Sequence, residues 1–229
     1  MNPASMVLVV IVLSTALAMA DEPADVPAAL ARKLLAPGQA TAQIQAFADA
    51  RVPLLKTPDD AAAWDRESAR MRKEILDRIV RRGVPASWVD GPAKVEWLDP
   101  VAGGVGYRIR RLRFEAVPGM WIPAVLYEPD RLEGKVPVAL AVNGHVGAPG
   151  KAIGYKQIRC INLAKRGMVV LNVEWIGMGQ LGSAGYSHAR LNQMDLCGTS
   201  GLAPFFLSLR RSLDVLLAHP NADPARVSV

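Results

Sequence analysis

Two glycine-bearing loops carry the residues best suited to chemistry. The first is Asn143-Gly144-His145-Val146-Gly147, directly after the apolar run Val136–Val142; the second is Glu174-Trp175-Ile176-Gly177-Met178-Gly179-Gln180, directly after Met168–Val173. A glycine-rich turn after a buried strand leaves backbone N–H groups facing open space. Two such donors aimed at one point stabilise the oxyanion of acyl transfer. Glu174 can line such a pocket or hydrogen-bond a neighbouring loop, and Trp175 follows it as a second pocket candidate. Asn-Gly is also a common turn pair with no chemistry attached. Acyl transfer by serine further needs a Gly-x-Ser-x-Gly turn after a strand, and the sequence contains none. Gly182-Ser183-Ala184-Gly185 and Gly198-Thr199-Ser200-Gly201 lack both the residue count and the preceding strand. His188 suits a loop hydrogen bond better than general-base work, because no activated nucleophile can be placed near it. His219, beside Pro220 at a helix end, falls at the opposite end of the sheet.

The elements that position these loops alternate in type. From Lys94 the pattern is extended: Val95-Glu96-Trp97, Tyr107–Ala116 and Trp121–Tyr127 are rich in β-branched and aromatic residues and are separated by Gly or Pro turns, as antiparallel strands require. The apolar phase slips between Ile109 and Leu112, which predicts a bulge near Arg110-Arg111. Val136–Val142 reads as a strand covered on both faces. Tyr155–Arg166 has helical periodicity and delivers the chain to Met168–Val173, completing a βαβ unit. Leu202–Ala218 is the next helix, and Ala222-Asp223-Pro224 turns into a third parallel strand at Arg226. In an open doubly wound sheet, ligands bind at the carboxyl ends of the strands, where both glycine-bearing loops lie.

The N-terminal part is different in kind. Met6–Leu17 is an apolar or small run followed by Ala18-Met19-Ala20 and then Asp21-Glu22, the pattern of a cleaved export signal, although no Lys or Arg precedes it. The run is shorter than the ~20 residues that span a bilayer, so no membrane anchor is expected once the signal is cleaved. Ala28–Leu35 and Ala40–Ala50 are Ala-rich helical stretches. In the next helix Thr57-Pro58-Asp59-Asp60 supplies a cap and an acidic first turn, Trp64, Met71, Ile75 and Ile79 form a stripe for core contacts, and Gly83 supplies a left-handed stop. The net charge of +6 comes largely from Arg66–Arg82 and Arg108–Arg113. With no aromatic interleaving or nucleic-acid motif these read as solvated faces, not a nucleic-acid surface. Cys160 and Cys197 could pair in an exported protein; a buried free thiol fits Cys160 at least as well. Three histidines and two cysteines show no ligand spacing, so no metal is implied. The Gly-x-Gly-x-x-Gly turn of a dinucleotide binder is also missing, and no cofactor is expected.

Trp121-Ile122-Pro123-Ala124-Val125-Leu126-Tyr127-Glu128-Pro129, then Val136–Val142 with Asn143-Gly144-His145, resembles the start of the acetyl xylan esterase and dienelactone-hydrolase-like branch of the α/β-hydrolases. The resemblance continues through Gly177-Met178-Gly179, Asp195–Gly201 and Asp214–Val229. It implies the N-terminal half of an α/β-hydrolase fold, a three-layer, doubly wound, mostly parallel sheet; with the signal and the helical appendage read from the residues above, the chain divides into signal 1–20, appendage 21–90 and hydrolase domain 91–229. It also implies that the His145 backbone N–H is one oxyanion donor. The nucleophilic serine, the second donor and the triad Asp and His would follow Val229, so no catalytic residue is assigned within the chain, and the oxyanion and pocket residues are Asn143, Gly144, His145, Glu174 and Trp175. The family carries His-Gly-x where this chain has Asn143-Gly144-His145, which leaves the backbone role intact and alters the side chain that shapes the loop. The expected function is the N-terminal portion of an exported, periplasmic or extracellular serine esterase acting on a small-molecule or carbohydrate ester, inactive by itself. A non-catalytic hydrolase-like binding protein and an unrelated doubly wound binding domain are the alternatives.

Overall fold

A computed structural model describes residues 25–229 apart from Ala184 and Tyr186. The export signal and its cleavage site lie outside the described residues. Among the described residues no helix is long and apolar enough to cross a membrane. The chain forms two compact units that divide between Thr57 and Pro58. The first contains α1 (Val26–Ala31), whose N-terminus is capped by the Asp25 carboxylate, and α2 (Gln39–Asp49), entered through Gly38.

In the second unit, α3 (Ala61–Ile75) begins where the Asp60 carboxylate accepts the Ala63 N–H at 2.6 Å. The cap is therefore Asp60 and not Thr57, and Pro58 precedes the helix. The helix ends in a widened turn over Leu76–Val80, where the Arg81 N–H reaches the Leu76 carbonyl, and it stops at Gly83 with φ of 67°. The expected apolar stripe is not a core face: Trp64, Ile75 and Ile79 are about half exposed. Attachment comes instead from the helix end, where Ser200 N–H donates to Arg82 O and the Thr199 hydroxyl to Gly83 O. The basic residues pair along the exposed surface, Arg70 with Glu67 and Glu74 and Arg78 with Glu74, at 2.7–2.8 Å. The short α4 (Ala86–Val89) follows; Arg211 holds its end by donating to the carbonyls of Val89 and Gly91.

Seven strands form one sheet: β1 (Val95–Trp97), β2 (Val101–Gly104), β3 (Tyr107–Val117), β4 (Met120–Pro129), β5 (Val136–Ala141), β6 (Val169–Val173) and β7 (Ala222–Ser228). Their order is β1-β3-β4-β6-β5-β7, with β2 also on β3. The sheet as a whole is mixed: β5 pairs in parallel with β6 and β7, and the remaining pairs are antiparallel. The parallel part is the half from Val136 onward. There the crossover helices α5 (Gly154–Lys165) and α7 (Ala203–Leu217) cover opposite faces, giving three layers. Leu112, Phe114, Ile122, Leu126, Leu140 and Leu171 pack toward α7, while Tyr127, Ala139, Ala141 and Val170 pack toward Cys160 and Ala164 of α5. Burial at both faces explains the unbroken apolar runs of β5 and β6.

The bulge expected at Arg110-Arg111 is absent. The β3–β4 register runs unbroken from Tyr107 opposite Pro129 to Glu115 opposite Trp121, and shifts only before Val117. The apolar phase slips because cover changes side: Tyr107 and Ile109 face α5, whereas Leu112 and Phe114 face α7. Strand β7 meets β5 at Ala222 and again at Val227, so Asp223–Arg226 bows out of register. Cys160 is buried and Cys197 exposed, and both are free thiols.

Candidate functional site

The carboxyl ends of β5 and β6 lie side by side, and the loops that leave them hold all five residues singled out from the sequence. Asn143 is buried, and its side chain is used within the fold. Its Nδ2 donates to Asn172 Oδ1 at 3.0 Å and also to the Val173 carbonyl, joining the β5 exit to β6. Gly144 and His145 are exposed beyond it. Among the described residues the backbone N–H groups of Gly144, His145 and Val146 donate to no carbonyl.

The His145 ring is part of a chain of contacts. His188, at the start of α6 (His188–Asn192), places Nε2 2.8 Å from the Ile176 carbonyl and Nδ1 3.2 Å from His145 Nε2. A carbonyl only accepts, so His188 carries a proton on Nε2, and its Nδ1 shares one proton with His145 Nε2. The two rings meet edge to face at 4.9 Å, His188 stands on Phe205 of α7 at 5.1 Å, and Phe205 also touches the half-buried Trp175 at 5.2 Å. These aromatic groups form one wall beside the free N–H groups.

Glu174 does not line open space. It is only 2 % exposed. One oxygen accepts the Lys151 backbone N–H at 2.8 Å, and the other accepts Lys151 Nζ at 2.8 Å and the Gln180 N–H at 3.3 Å. Lys151 Nζ also reaches Gln180 Oε1 at 2.6 Å, and the Lys151 carbonyl accepts from Asn172. Two glycines close the cage. Gly150 and Gly179 have φ of 53° and 50°, and a Cβ on them would fall 2.2 Å and 2.5 Å from the Glu174 oxygens. The carboxylate thus clamps both loops from beneath.

Lys151, Asn172 and Phe205 were not foreseen from the sequence. Asn172 left a signal, a lone amide inside an apolar strand. Lys151, in a Pro-Gly loop, left none. Neither glycine-flanked serine motif offers a nucleophile: Ser200 is buried in the turn before α7, its hydroxyl accepting the Leu202 N–H at 3.3 Å, and Ser183 precedes no strand-borne turn. Among the described residues no group of three or more His, Cys, Asp or Glu could hold a metal ion. His219 lies at the far end of the sheet, as expected, paired with Glu128 at 2.8 Å.

No family model matches the chain, and no curated protein matches it in sequence. Solved structures do. A proposed acetyl xylan esterase from Bacteroides fragilis superposes with a TM-score of 0.64 at 17 % identity, over 86 % of this chain and 54 % of that one. A methylesterase gives 0.55 at 20 % identity, over 82 % and 39 %. The fold is an α/β-hydrolase fold. A glucuronoyl esterase from Solibacter usitatus shares it with a TM-score of 0.50 at 15 % identity, over 78 % of this chain and 58 % of that one. The chain therefore spans about half the length of these α/β-hydrolase-fold structures.

Proposed function

We propose that this chain supplies the oxyanion-binding half of an exported serine carboxylic-ester hydrolase of the acetyl xylan esterase type, acting on a small-molecule or carbohydrate ester. One observation carries the reading: Gly144, His145 and Val146, at the end of a central parallel strand, present backbone N–H groups that meet no carbonyl acceptor among the described residues, beside an aromatic wall. Such donors stabilise charge on an acyl oxygen because they are held rigidly before the charge appears. The Glu174–Lys151 clamp, the Asn143–Asn172 bridge and the His188 relay all fix that loop. In this role the Asn143 side chain shapes the loop from within, and the His145 backbone N–H is the donor. Export is consistent with the Ala18-Met19-Ala20 signal.

The test is to sequence the gene past codon 229 and assay both products on an aryl acetate. We expect an in-frame Gly-x-Ser-x-Gly continuation, turnover by the longer product and none by residues 1–229. A stop codon at that point, with no turnover, would reject the catalytic reading and leave a non-catalytic binding protein.

A further inference from the structure

The other end of the same sheet holds a second polar site. Arg108 and Arg110 lie two residues apart on β3, so both project toward the α7 side, where Leu112 and Phe114 project further along. Arg108 stands directly opposite Glu128 of β4. This polar start to an apolar face is the source of the phase slip in β3. α7 has ended there, and the sheet surface opens into a cleft of about 800 Å³ that continues into a second of about 290 Å³; both are lined by Arg110, His219 and Pro220. A cleft of this size matches small-molecule sites.

Its chemistry is specific. Glu128 is 2 % exposed and accepts a hydrogen bond from His219 Nε2 at 2.8 Å. His219 Nδ1 accepts the Asn221 N–H at 3.1 Å, so the ring is in the Nε2–H tautomer and carries no charge. Arg108 and Arg110 each approach Glu128 at 3.6 Å, an ion pair outside hydrogen-bond reach. Their N–H groups remain available to the cleft. Arg110 lies over the Trp97 ring at 3.8 Å, and Trp97 is 45 % exposed. Asp130 is fixed by the Gly106 N–H at 2.9 Å and adds a second carboxylate. Two arginines and two carboxylates sum to zero.

A cleft with no net charge, planar donors and acceptors held in place, and an exposed indole suits a neutral polyhydroxyl ligand. It suits an anion or a cation less well. We propose that this cleft binds a neutral oligosaccharide at the end of the sheet opposite the ester site, Trp97 meeting the apolar face of a sugar ring and Arg108, Arg110 and Asp130 its hydroxyls. The choice of a xylose-based sugar rests on the proposed function; the binding itself does not.

Calorimetric titration of the full chain with xylohexaose tests this. One saturable site is expected, weakened about tenfold or more by Trp97→Ala and by Arg110→Ala, a loss of about 1.4 kcal/mol, and held within about threefold by Trp97→Phe. Thermal melts confirm that each variant is folded. No binding, binding indifferent to both alanine variants, or equal weakening by Trp175→Ala at the other end overturns the proposal, as does preference for an oligogalacturonate. Aryl acetate turnover is not part of the readout, so failure of the esterase reading and failure of this one are separable.

Discussion

Each end of the sheet buries one carboxylate to the same degree, yet the two are put to different use. Glu174 accepts three hydrogen bonds inside a cage closed by Lys151, Gln180 and two glycines, and its charge is spent within the fold. Glu128 accepts one hydrogen bond from a neutral imidazole, and its remaining partners are guanidiniums that stay about half exposed. A buried charge must be paired, but who pairs it decides the outcome. An internal lysine makes a clamp. Arginines at a surface make a platform with donors to spare. The substitutions below separate clamp from platform, from the largest expected effect to the smallest.

Breaking the clamp should cost most. Glu174→Ala leaves the buried Lys151 ammonium without its partner and frees the Gln180 and Lys151 N–H groups, for a loss of about 3–5 kcal/mol. Urea unfolding measures it. A loss below about 1 kcal/mol would mean that water reaches the cage. Gly150→Ala should be comparably severe, because the added Cβ meets the carboxylate while the backbone sits in a left-handed conformation.

Next to the clamp, Lys156 is buried, and its Nζ has no hydrogen-bond partner among the described residues, only the Tyr155 ring at 5.9 Å. Burial first, then the Arg159 charge, hold its amine below the ordinary 10.5. A lysine whose folded pKa is depressed binds its proton more tightly when unfolded, so its penalty is fully present below the folded pKa and shrinks as pH rises toward 10.5. Lys156→Met should therefore raise stability by about 1–3 kcal/mol at neutral pH, with the gain diminishing in alkali. A variant less stable than the parent at pH 7 would show that the ammonium finds a partner.

At the platform the expected signature is a pH profile. Burial pushes the Glu128 carboxyl up, but the His219 hydrogen bond and the Arg110 and Arg108 charges outweigh it, and the net direction is below 4.5. A carboxyl with a depressed folded pKa contributes stability that is present above its unfolded value and lost as pH falls through the folded one. Glu128→Gln should be less stable than the parent at pH 7 and should converge with it as pH falls below the ordinary carboxylate range and through the lowered folded value. Parallel stability curves from pH 7 to pH 3 would refute this assignment.

The sequence made the clamp's location legible and hid its mechanism. Continuous apolar runs announced β5 and β6, and the rule that ligands gather at carboxyl ends led to Asn143–Gly147 and Glu174–Gln180. The Glu174 partner could not be read, because Lys151 is 23 positions away in a loop with no periodicity. At the platform the error was one of interpretation. Arg110-Arg111 broke the apolar alternation and suggested a bulge, but the register is regular and the break records a change in which helix covers the strand. Alternation reports burial, and burial depends on neighbours distant in sequence. The Trp64 stripe failed for a related reason: helical periodicity shows an apolar face, not whether anything covers it.

The smallest effect is the most discriminating. Arg110→Ala removes an exposed guanidinium whose ion pair is long and whose stacking on Trp97 is open to solvent, so stability should fall by less than about 1 kcal/mol. The cleft predicts that the same substitution costs about tenfold in xylohexaose affinity. A residue that fed stability would move the melt and the titration together; one that serves a ligand moves the titration alone. Lys151→Met at the clamp should do the opposite, lowering the melt sharply while any folded fraction binds the sugar with unchanged affinity. If the two variants fail to cross in this way, the two ends of the sheet are not divided between holding and binding.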